Sequence, residues 1–296
     1  MDPINPVNVW TWNVNSIRSK IPLVIQLLQK HQIDILVVTE TKIQPQHESN
    51  ILIPGYQILF NSNKTASYHG VAIIYRSSLC LTIMGDQLPT KNRIKMVLIN
   101  LKNANKISQV TQSELDHDIS RAHTIEGRLL TVKLTIKNHT FVVVGTYVPN
   151  AGVDRTSPLK RLAYRTLCWD KDLFDHLLNL EKEYQKVIWL GDLNVARHDN
   201  DHNKQKSANF AGVTPEERYN FQTFLATSGW IDTWDLCNPD KMHIDERCTY
   251  GVNTTCRLRL DYVIVSPALR SLIKTSKVDQ DFDGSDHVPM GTSFLF

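Results

Sequence analysis

The sequence lacks long apolar runs and a leader-like beginning. No stretch of the chain approaches the roughly 18 consecutive apolar residues that a membrane-spanning helix needs. The first residues, Met1–Pro6, contain neither a basic segment nor an apolar one, so no signal peptide is expected. These absences predict an intracellular protein with no membrane partner.

Cysteine is scarce in the chain. The five cysteines are widely spaced and no two of them form a CxxC pair; they are Cys80, Cys168, Cys237, Cys248 and Cys256. A disulfide framework and a zinc site are therefore both unsupported. The pattern fits a reducing compartment, and a bacterial cytoplasm and a eukaryotic nucleus are equally compatible with it.

The motifs of several large enzyme classes are also missing. The chain contains no GxxxxGK[ST] or GxGxxG sequence, which leaves binding of nucleoside triphosphates and dinucleotides without support. It has no GxSxG elbow and no Ser-His-Asp spacing, so acyl transfer is equally unsupported. The net charge of +3 is too small to indicate a nucleic-acid partner by itself, although a groove needs only a local excess of Lys and Arg.

The chain does contain many short strand-like runs that are rich in β-branched and aromatic residues. These runs are Val7–Val14, Ile35–Thr39, Tyr56–Asn61, Val71–Tyr75, Arg128–Ile136, Thr140–Val148, Val187–Leu190, Leu260–Val265 and Met290–Phe296. Many short strands with few helices predict an α/β fold in which stacked sheets are covered by helices. We expect one domain over residues 1–296, with a polar surface insertion at about residues 86–123.

Helical spacing of apolar residues predicts three helices, at Pro22–His31, Leu159–Tyr184 and Thr214–Ser228. The third begins with a capping box, in which Thr214 caps the helix and Glu217 reaches back toward it. This local reading accounts for the Thr-Pro-Glu-Glu sequence without any catalytic role.

Polar side chains stand at the ends of the predicted strands, which is where ligand sites form in such folds. They are Asn13, Asn15, Glu40, Tyr147, Asn150, Asp192, Asn194, Asp261, Asp286 and His287. Carboxylates and amides without a His or Cys cluster favour magnesium, or manganese, over zinc. The chemistry that remains is metal-assisted hydrolysis of a phosphoester, with a carboxylate and an amide positioning the attacking water.

Eight short motifs appear in an order that resembles the exonuclease III family of apurinic/apyrimidinic endonucleases, within the endonuclease/exonuclease/phosphatase superfamily. They are WNVNSIR (12–18), TETK (39–42), HGVAIIY (69–75), YVPNAG (147–152), GDLNVA (191–196), GVTPEER (212–218), RLDY (259–262) and GSDHVP (284–289). The resemblance covers nearly the whole chain except residues 86–123. It implies a four-layered α/β/β/α sandwich with two mixed sheets flanked by helices.

The resemblance also implies roles for the residues that do the chemistry. Asp192 would activate the attacking water, and Asn194 would hold Asp192. We expect the two to point at one phosphate because residues i and i+2 of an extended chain share a face. Asp261 would orient His287, which would donate to the scissile phosphate. Pairing with a carboxylate favours the charged imidazole, which suits that role.

The same resemblance implies a divalent metal, Mg²⁺ or possibly Mn²⁺, near Glu40, with Asn13 and Asp286 in support. Tyr147 and Asn150 would complete a cage around the phosphate.

For the substrate, the resemblance implies a small apolar pocket formed by Tyr250, Leu258 and Leu260, which would accept a baseless sugar and exclude a normal nucleotide by size. Leu258 stands where relatives usually carry Trp, and Val153 where some relatives place a long basic side chain. The further candidates for contact with DNA are Asn15, Arg161, Arg165 and Asn209, with Lys204 and Lys206 as weaker ones. For the two arginines a solvated helix face is the alternative, and Asp199–Asp201 is expected to form a solvated loop.

The sequence therefore predicts a magnesium-dependent DNA-repair phosphodiesterase that cuts the backbone 5′ to abasic sites and leaves a 3′-hydroxyl. A second predicted activity is that of a 3′→5′ exonuclease or 3′-phosphodiesterase. The expected partner is double-stranded DNA with abasic sites or blocked 3′ ends, bound by a monomer. The alternatives are a retroelement-type nicking endonuclease, a phosphoesterase of non-DNA substrates, and a DNA-binding relative without activity; the Glu40, Asp192 and His287 set speaks against the last.

Overall fold

The computed structural model describes residues 6–63, 68–84, 126–136, 139–152, 158–203 and 210–296. Within these residues the strands are β1 (Val7–Asn13), β2 (Ile35–Thr39), β3 (Tyr56–Asn61), β4 (Val71–Arg76), β5 (Cys80–Met84), β6 (Leu129–Ile136), β7 (His139–Tyr147), β8 (Val187–Asp192), β9 (Ile231–Asp232), β10 (Asp261–Val265), β11 (Ile273–Val278) and β12 (Met290–Phe294). The helices are α1 (Ile21–Lys30), α2 (Pro158–Ala163), α3 (Asp170–Tyr184), α4 (Pro215–Ser228), α5 (Thr233–Cys237) and α6 (Ile244–Arg247). Short 3₁₀ turns cover Pro45–Asn50, Asp199–Asp201 and Pro267–Leu272.

The strands form two mixed sheets. One has the order β11-β12-β1-β2-β4-β3, and the other has the order β5-β6-β7-β8-β10-β9. In each sheet one central pair is parallel, β1 with β2 and β7 with β8, and the other pairs are antiparallel. Because parallel neighbours end at the same edge, the residues that follow each of these pairs are brought together.

The inner faces of the two sheets pack against each other. This central core contains fully buried aliphatic side chains from both sheets, including Val37, Val143 and Val263. The buried face of α1, with Leu27 and Leu28, covers the outer side of the first sheet. Helices α3 and α4 cover the outer side of the second sheet through a separate apolar cluster. The predicted four-layered α/β/β/α sandwich is thus confirmed.

Three strands lack a clear signal in the sequence. β9 has only two residues, and β11 carries Lys274 and Lys277 on an exposed edge of its sheet. β5 forms the edge of the other sheet. Edge strands bury little surface, so they need no apolar alternation to form.

The helical predictions are confirmed, with one local change. The Leu159–Tyr184 pattern is interrupted by a π-helical turn at Tyr164–Trp169, between α2 and α3. At the start of α4 the Thr214 hydroxyl accepts from the Glu217 amide at 3.3 Å. The buried Glu217 carboxylate accepts from the Thr214 hydroxyl at 2.7 Å and from the Gly212 amide at 2.8 Å. These bonds confirm the structural reading of the Thr-Pro-Glu-Glu motif.

Several predictions fall on parts of the chain outside the described residues: the insertion at residues 86–123, Val153, Lys204, Lys206 and Asn209. Within the described ranges, none of the helices combines the length and apolar character that crossing a membrane requires. Cys168, Cys237, Cys248 and Cys256 are free thiols.

Candidate active site

The polar residues at the strand ends meet where the edges of the two sheets face each other. Asn13 ends β1 in the first sheet, and Asp192 ends β8 in the second. The Asn13 amide nitrogen donates to Asp192 Oδ2 at 2.9 Å and to Glu40 Oε1 at 3.0 Å. Asp261, at the start of β10, is paired with Asp192 in the register of the second sheet. One amide therefore bridges the carboxylates of both sheets.

Asp192 is held in a fixed position at the base of this site. It is only 2% exposed, and burial raises the pKa of its carboxyl above the usual value against the opposing effect of His287. The preceding Gly191 has φ 143°, and a Cβ atom there would lie 2.0 Å from the Thr146 carbonyl oxygen. Only glycine can therefore precede Asp192 without moving β7.

The backbone turns at Asn194, so the predicted extended arrangement of residues 192–194 is wrong. Its φ is 49°, in the left-handed region that Asn tolerates better than most residues. In this conformation its backbone N–H donates to Asp192 Oδ1 at 3.0 Å. Its side-chain amide donates to the Val148 carbonyl at 2.8 Å and accepts from Asn150 at 3.1 Å. Asn194 and Asn150 are therefore tied to the loop that follows β7.

His287 lies against two carboxylates. Its Nδ1 is 2.7 Å from Asp261 Oδ2, and its Nε2 is 3.8 Å from Asp192 Oδ2. Burial works against the charged ring, but the Asp261 carboxylate, with Asp192 and Asp286 nearby, outweighs it and raises the pKa of His287 to about 10. The ring can therefore carry a proton at neutral pH and donate from both nitrogens.

Glu40 and Tyr147 form the opposite side of the site. Glu40 has a left-handed φ of 52°, and its Oε2 lies 2.7 Å from the Lys42 ammonium. Burial would raise the pKa of Glu40, but hydrogen bonds from Lys42 and Asn13 lower it below the usual value. Tyr147 also hydrogen-bonds Glu40, and burial together with the Glu40 and Asp192 charges raises the pKa of the phenol well above its usual value. The phenol therefore stays a donor.

Asn15 and Asp286 extend this network outward. The Lys42 ammonium donates to Asn15 Oδ1 at 2.5 Å, and the Asn15 amide donates to Asp286 Oδ1 at 3.2 Å. Asp286 and Asn15 are exposed, whereas Glu40 is partly buried. A cationic group thus already contacts the oxygens on this side of the site.

The donor chemistry fits a hard divalent cation. In the described part of the chain no three His, Cys, Asp or Glu side chains gather in an arrangement that would hold a metal by themselves. Magnesium commonly takes only one or two protein carboxylates and keeps several waters, so it needs no such cage. Glu40, with Asn13 and Asp286 nearby, offers this kind of open oxygen site, and Lys42 stands in for a cation beside it.

The three predicted pocket residues lie together beside the catalytic candidates. Leu258 and Leu260 are buried in an apolar cluster with Ala196 and Val213, against which Tyr250 packs. The Tyr250 ring centroid is 5.0 Å from that of His287. The apolar cluster therefore borders the site, as expected for a pocket that would receive part of a substrate.

The two arginine candidates have different surroundings. Arg161 is exposed, and a Cβ atom on Gly152 would lie 2.8 Å from its guanidinium, so Arg161 packs over the loop after β7. Arg165 is 3% exposed; it donates to the Leu193 carbonyl at 3.0 Å and pairs with Asp170 at 2.8 Å. The Arg165 guanidinium is therefore buried and bound to groups inside the protein, which contradicts the predicted DNA contact.

The Asp199–Asp201 prediction is also wrong in part. Asp199 is exposed as expected, but Asp201 is fully buried and its carboxylate pairs with Arg247 at 2.6 Å. Its partner is distant in the sequence, so no local pattern indicates this burial.

Three further residues of the site, Lys42, His69 and Arg128, lie in the motifs and strand-like runs of the sequence, which gave them no predicted role. Lys42 contacts Glu40, as described above. Arg128 lies over the Tyr147 ring at 4.9 Å and hydrogen-bonds His69 Nε2 at 2.8 Å. Burial and the Arg128 charge lower the pKa of His69 to about 4, so this imidazole is neutral. His69 and Arg128 thus buttress Tyr147; their places in HGVAIIY and just before β6 were the available signals.

The sequence is similar to those of known proteins over most of its length. The family described as Endonuclease/Exonuclease/phosphatase matches residues 10–287. A DNA-(apurinic or apyrimidinic site) endonuclease of Dictyostelium discoideum is 30% identical over 294 residues, which cover 97% of this chain and 70% of the relative. An exodeoxyribonuclease of Bacillus subtilis (strain 168) is 27% identical over 286 residues, which cover 95% of this chain and 96% of the relative.

Solved structures share the fold. The AP endonuclease LMAP from Leishmania major superposes with a TM-score of 0.77 at 23% identity, covering 100% of this chain and 90% of that one. The 3′ phosphatase NExo from Neisseria, bound to a product DNA hairpin, superposes with a TM-score of 0.69 at 22% identity, covering 98% of this chain and 100% of that one.

Proposed function

Since the chain belongs to the Endonuclease/Exonuclease/phosphatase family, we propose that it is a DNA-repair phosphodiesterase that cuts the backbone on the 5′ side of an abasic site and leaves a 3′-hydroxyl. The observation that carries the proposal is the arrangement of Asp192 and His287, whose nearest side-chain atoms are 3.8 Å apart beside the Glu40 carboxylate. A proton acceptor and a proton donor thus face one small space, as hydrolysis of a phosphodiester requires.

In this mechanism Asp192 accepts a proton from the attacking water. The water oxygen bonds to phosphorus as the P–O3′ bond breaks, and the departing 3′ oxygen takes a proton from solvent to become the 3′-hydroxyl. The Asn194 amide N–H on Oδ1 and the Asn13 amide on Oδ2 fix the direction of the carboxylate. His287, with its Nδ1 proton held by Asp261, presents its Nε2 proton to a non-bridging phosphate oxygen. Because these groups are already oriented before substrate arrives, little reorganisation is needed in the transition state.

Tyr147 and Asn150 hold the phosphate from the other side. The Tyr147 hydroxyl is a donor beside Glu40, and the Asn150 amide is oriented through Asn194 Oδ1. Glu40, Asn13 and Asp286 would hold Mg²⁺ or Mn²⁺, which when bound supplies positive charge against the developing charge on the phosphate.

The test is cleavage of a labelled duplex that carries one tetrahydrofuran abasic analogue, beside the same duplex without damage, with magnesium and with EDTA. We expect a single magnesium-dependent cut 5′ to the analogue, and a product that a DNA polymerase extends from its 3′-hydroxyl. Random nicking of both duplexes would favour the retroelement-type alternative instead. Hydrolysis of a non-DNA phosphoester without cleavage of either duplex would favour the other phosphoesterases of the family.

A second activity, removal of nucleotides or blocking groups from 3′ ends, is supported by the similarity to the Bacillus subtilis exodeoxyribonuclease. The apolar cluster beside His287 bears on this activity, because the 3′-terminal nucleotide or blocking group would lie next to it when the same kind of bond, between phosphorus and the 3′ oxygen of the preceding nucleotide, is cut. The partners we propose are therefore duplexes with abasic sites or blocked 3′ ends, bound by a monomer. Duplexes ending in a 3′-phosphate or a 3′-phosphoglycolate test this second activity.

Replacing Glu40 with Gln is expected to raise the magnesium concentration for half-maximal rate by at least roughly ten-fold, because an anionic ligand becomes neutral. DNA affinity measured in calcium or EDTA should change much less. Magnesium binding followed by calorimetry without DNA gives a second readout that does not depend on turnover. The matched control is Glu216→Gln, an exposed glutamate at the start of α4. An unchanged magnesium dependence in Glu40→Gln would remove Glu40 from the metal site.

Arg161 and Arg165 make a matched pair for a test of DNA contact. Alanine at the exposed Arg161 should make the log–log dependence of DNA affinity on salt shallower by about 0.9, the contribution of one phosphate contact. Alanine at Arg165 should leave that slope unchanged and destabilise the fold by about 3–5 kcal/mol, because Asp170 would lose its buried partner. Fluorescence anisotropy over a salt series and thermal melts measure the two effects. An unaltered slope for Arg161→Ala would return Arg161 to the solvated helix face.

A further inference from the structure

A network of buried charges lies behind the apolar cluster and takes no part in the mechanism above. Arg259 is fully buried; its guanidinium is 2.6 Å from Asp232 Oδ1 and 3.2 Å from Asp235 Oδ1. Arg247 is 2.6 Å from Asp201 Oδ1 and 2.7 Å from Asp235 Oδ1. Asp201 and Asp232 are at most 5% exposed. The carboxylates and guanidinium groups of this network are thus shared among several partners.

Two further side chains, Arg197 and His198, complete the surroundings of Asp235. Arg197 lies 3.1 Å from Asp235 Oδ2, and His198 Nε2 lies 3.3 Å from the same oxygen. Burial alone would raise the pKa of Asp235, but the hydrogen bond from His198 and the nearby arginine charges lower it far below its usual value. Asp232 also accepts the N–H groups at the start of α5. The charged groups of the network therefore constrain one another through the carboxylates that they share.

Stability does not explain such a network. Removing charges from water costs several kcal/mol per ion, and apolar side chains of similar volume often give equal or greater stability. What a network of shared buried ion pairs can provide is a defined geometry of the segments that carry them. Its function should therefore be sought in the segments that it joins.

The network joins the loop after β8 to the segment before β10. The Arg259 backbone N–H donates to the Asp201 carbonyl at 2.8 Å, and the Arg257 N–H donates to Asn203 Oδ1 at 2.9 Å. His202 and Leu258 form a β-bridge between the same two segments. Each contact fixes the distance between the loop and the 257–260 segment.

Arg259 stands between the two leucines of the apolar cluster. In an extended segment, alternate residues point to opposite sides, so Leu258 and Leu260 share one side and Arg259 takes the other. The burial is consistent with this: the two leucines pack with Ala196 and Val213, and Arg259 lies among carboxylates with its guanidinium 4.4 Å from the Tyr262 ring. The salt bridges of Arg259 therefore set the position of Leu258 and Leu260, which together form the apolar wall of the site.

We propose that the Asp201–Arg247 and Arg259–Asp232 pairs are positioning elements that set the dimensions of the Leu258–Leu260 apolar wall and thereby determine how strongly the enzyme prefers a baseless sugar over an intact nucleotide. The inference rests on the proposed function. It concerns selectivity and not the chemical step, because Asp192 and Asn194 have their own contacts with Asn13 and Val148.

The experiment compares two values of kcat/KM. One is for the cut at the tetrahydrofuran site of the damaged duplex, and the other is for the removal of 3′ nucleotides from the undamaged duplex. The variant is Asp201→Asn, which keeps the size of the side chain and removes its charge. The expected result is that the ratio of the two constants falls roughly ten-fold, within the range over which pocket shape discriminates between substrates. A loss of folded protein lowers both constants equally and cancels in the ratio, which separates positioning from a merely structural role.

The matched control is Asp199→Asn, two residues away in the same loop, where the carboxylate is exposed and pairs with Arg218. Its ratio should equal that of the unmodified protein. If Asp201→Asn does not fold, Arg259→Lys decides, because it keeps the charge and loses the fork that reaches both Asp232 and Asp235.

An unchanged ratio in the deciding variant overturns the inference, even if both rate constants are lower. An unmodified protein that cuts neither duplex overturns the proposed function and the inference together. If the unmodified protein prefers the abasic duplex and the variant prefers it by the same ratio of kcat/KM values, the inference alone is overturned.

Discussion

Asn in place of Asp192 is expected to lower the rate of abasic-site cleavage by about 10²–10⁴-fold, the usual cost of losing a group that takes a proton in the transition state. Asn has nearly the same shape but cannot accept the proton of the attacking water at neutral pH. The effect should appear in single-turnover measurements, in which product release does not limit the rate.

The surroundings of Asp192 indicate that the fold will tolerate this change. Its Oδ1 accepts from the Asn194 N–H, and an Asn side-chain oxygen can keep that bond. Its Oδ2 faces the Asn13 amide, where an Asn amide would bring two donors together. The lost bond is local, so the melting temperature and DNA affinity should stay close to those of the unmodified protein.

The control for Asp192→Asn is Asp199→Asn, which removes an exposed carboxylate from the loop that follows β8. It should retain full activity on the abasic duplex. A variant at position 192 that keeps most of its single-turnover rate would show that another group activates the water.

Much of the fold follows from local pattern. Ile35–Thr39, which is buried throughout, and Tyr56–Asn61, a half-buried edge strand, have the predicted bounds, because residues that are β-branched, aliphatic or aromatic favour strands. The short β9 and the polar β11 could not be predicted in the same way. Their formation depends on neighbours in the completed sheets, β10 and β12, and not on their own composition.

In the candidate site too, some residues could be predicted from local sequence and others could not. Strand-end residues such as Asn13 and Asp192 could be recognised because ligand sites form at strand ends in such folds, and the structure brings these two, from different sheets, within hydrogen-bonding distance. The surroundings of Arg165 and Asp201 could not be recognised. A helix pattern does not reveal which turn faces a buried carbonyl, and the partner of Asp201 lies on a different segment of the chain.

The prediction of an extended chain at Asn194 was wrong for a different reason. The sequence after β8 continues in a strand-like manner, and nothing local indicates that Asn194 adopts φ 49°. The left-handed conformation is stabilised by the contacts of its side chain with Val148 and Asn150. Backbone conformations of this kind occur at functional sites where the surrounding structure imposes them.

His287 and Asp261 are expected to behave as one unit in catalysis. Replacing His287 with Gln should lower the single-turnover rate by about 10²–10⁴-fold, because the donor to the phosphate is lost. Replacing Asp261 with Asn should also be severe. The carboxylate 2.7 Å from His287 Nδ1 is what keeps the ring charged and oriented, and an amide cannot do this.

The decisive measurement is the double variant. The effects of substituting groups that act together are not additive. The single-turnover rate of His287→Gln combined with Asp261→Asn should therefore be within about three-fold of the rate of His287→Gln alone. A matched control exists in the pair of His31 and Asp279, whose side chains are also 2.7 Å apart but lie beside α1. His31→Gln should leave the cleavage rate unchanged. If the two site substitutions instead multiply, Asp261 acts independently of the imidazole, and its role must be sought in its contact with the neighbouring strand β8.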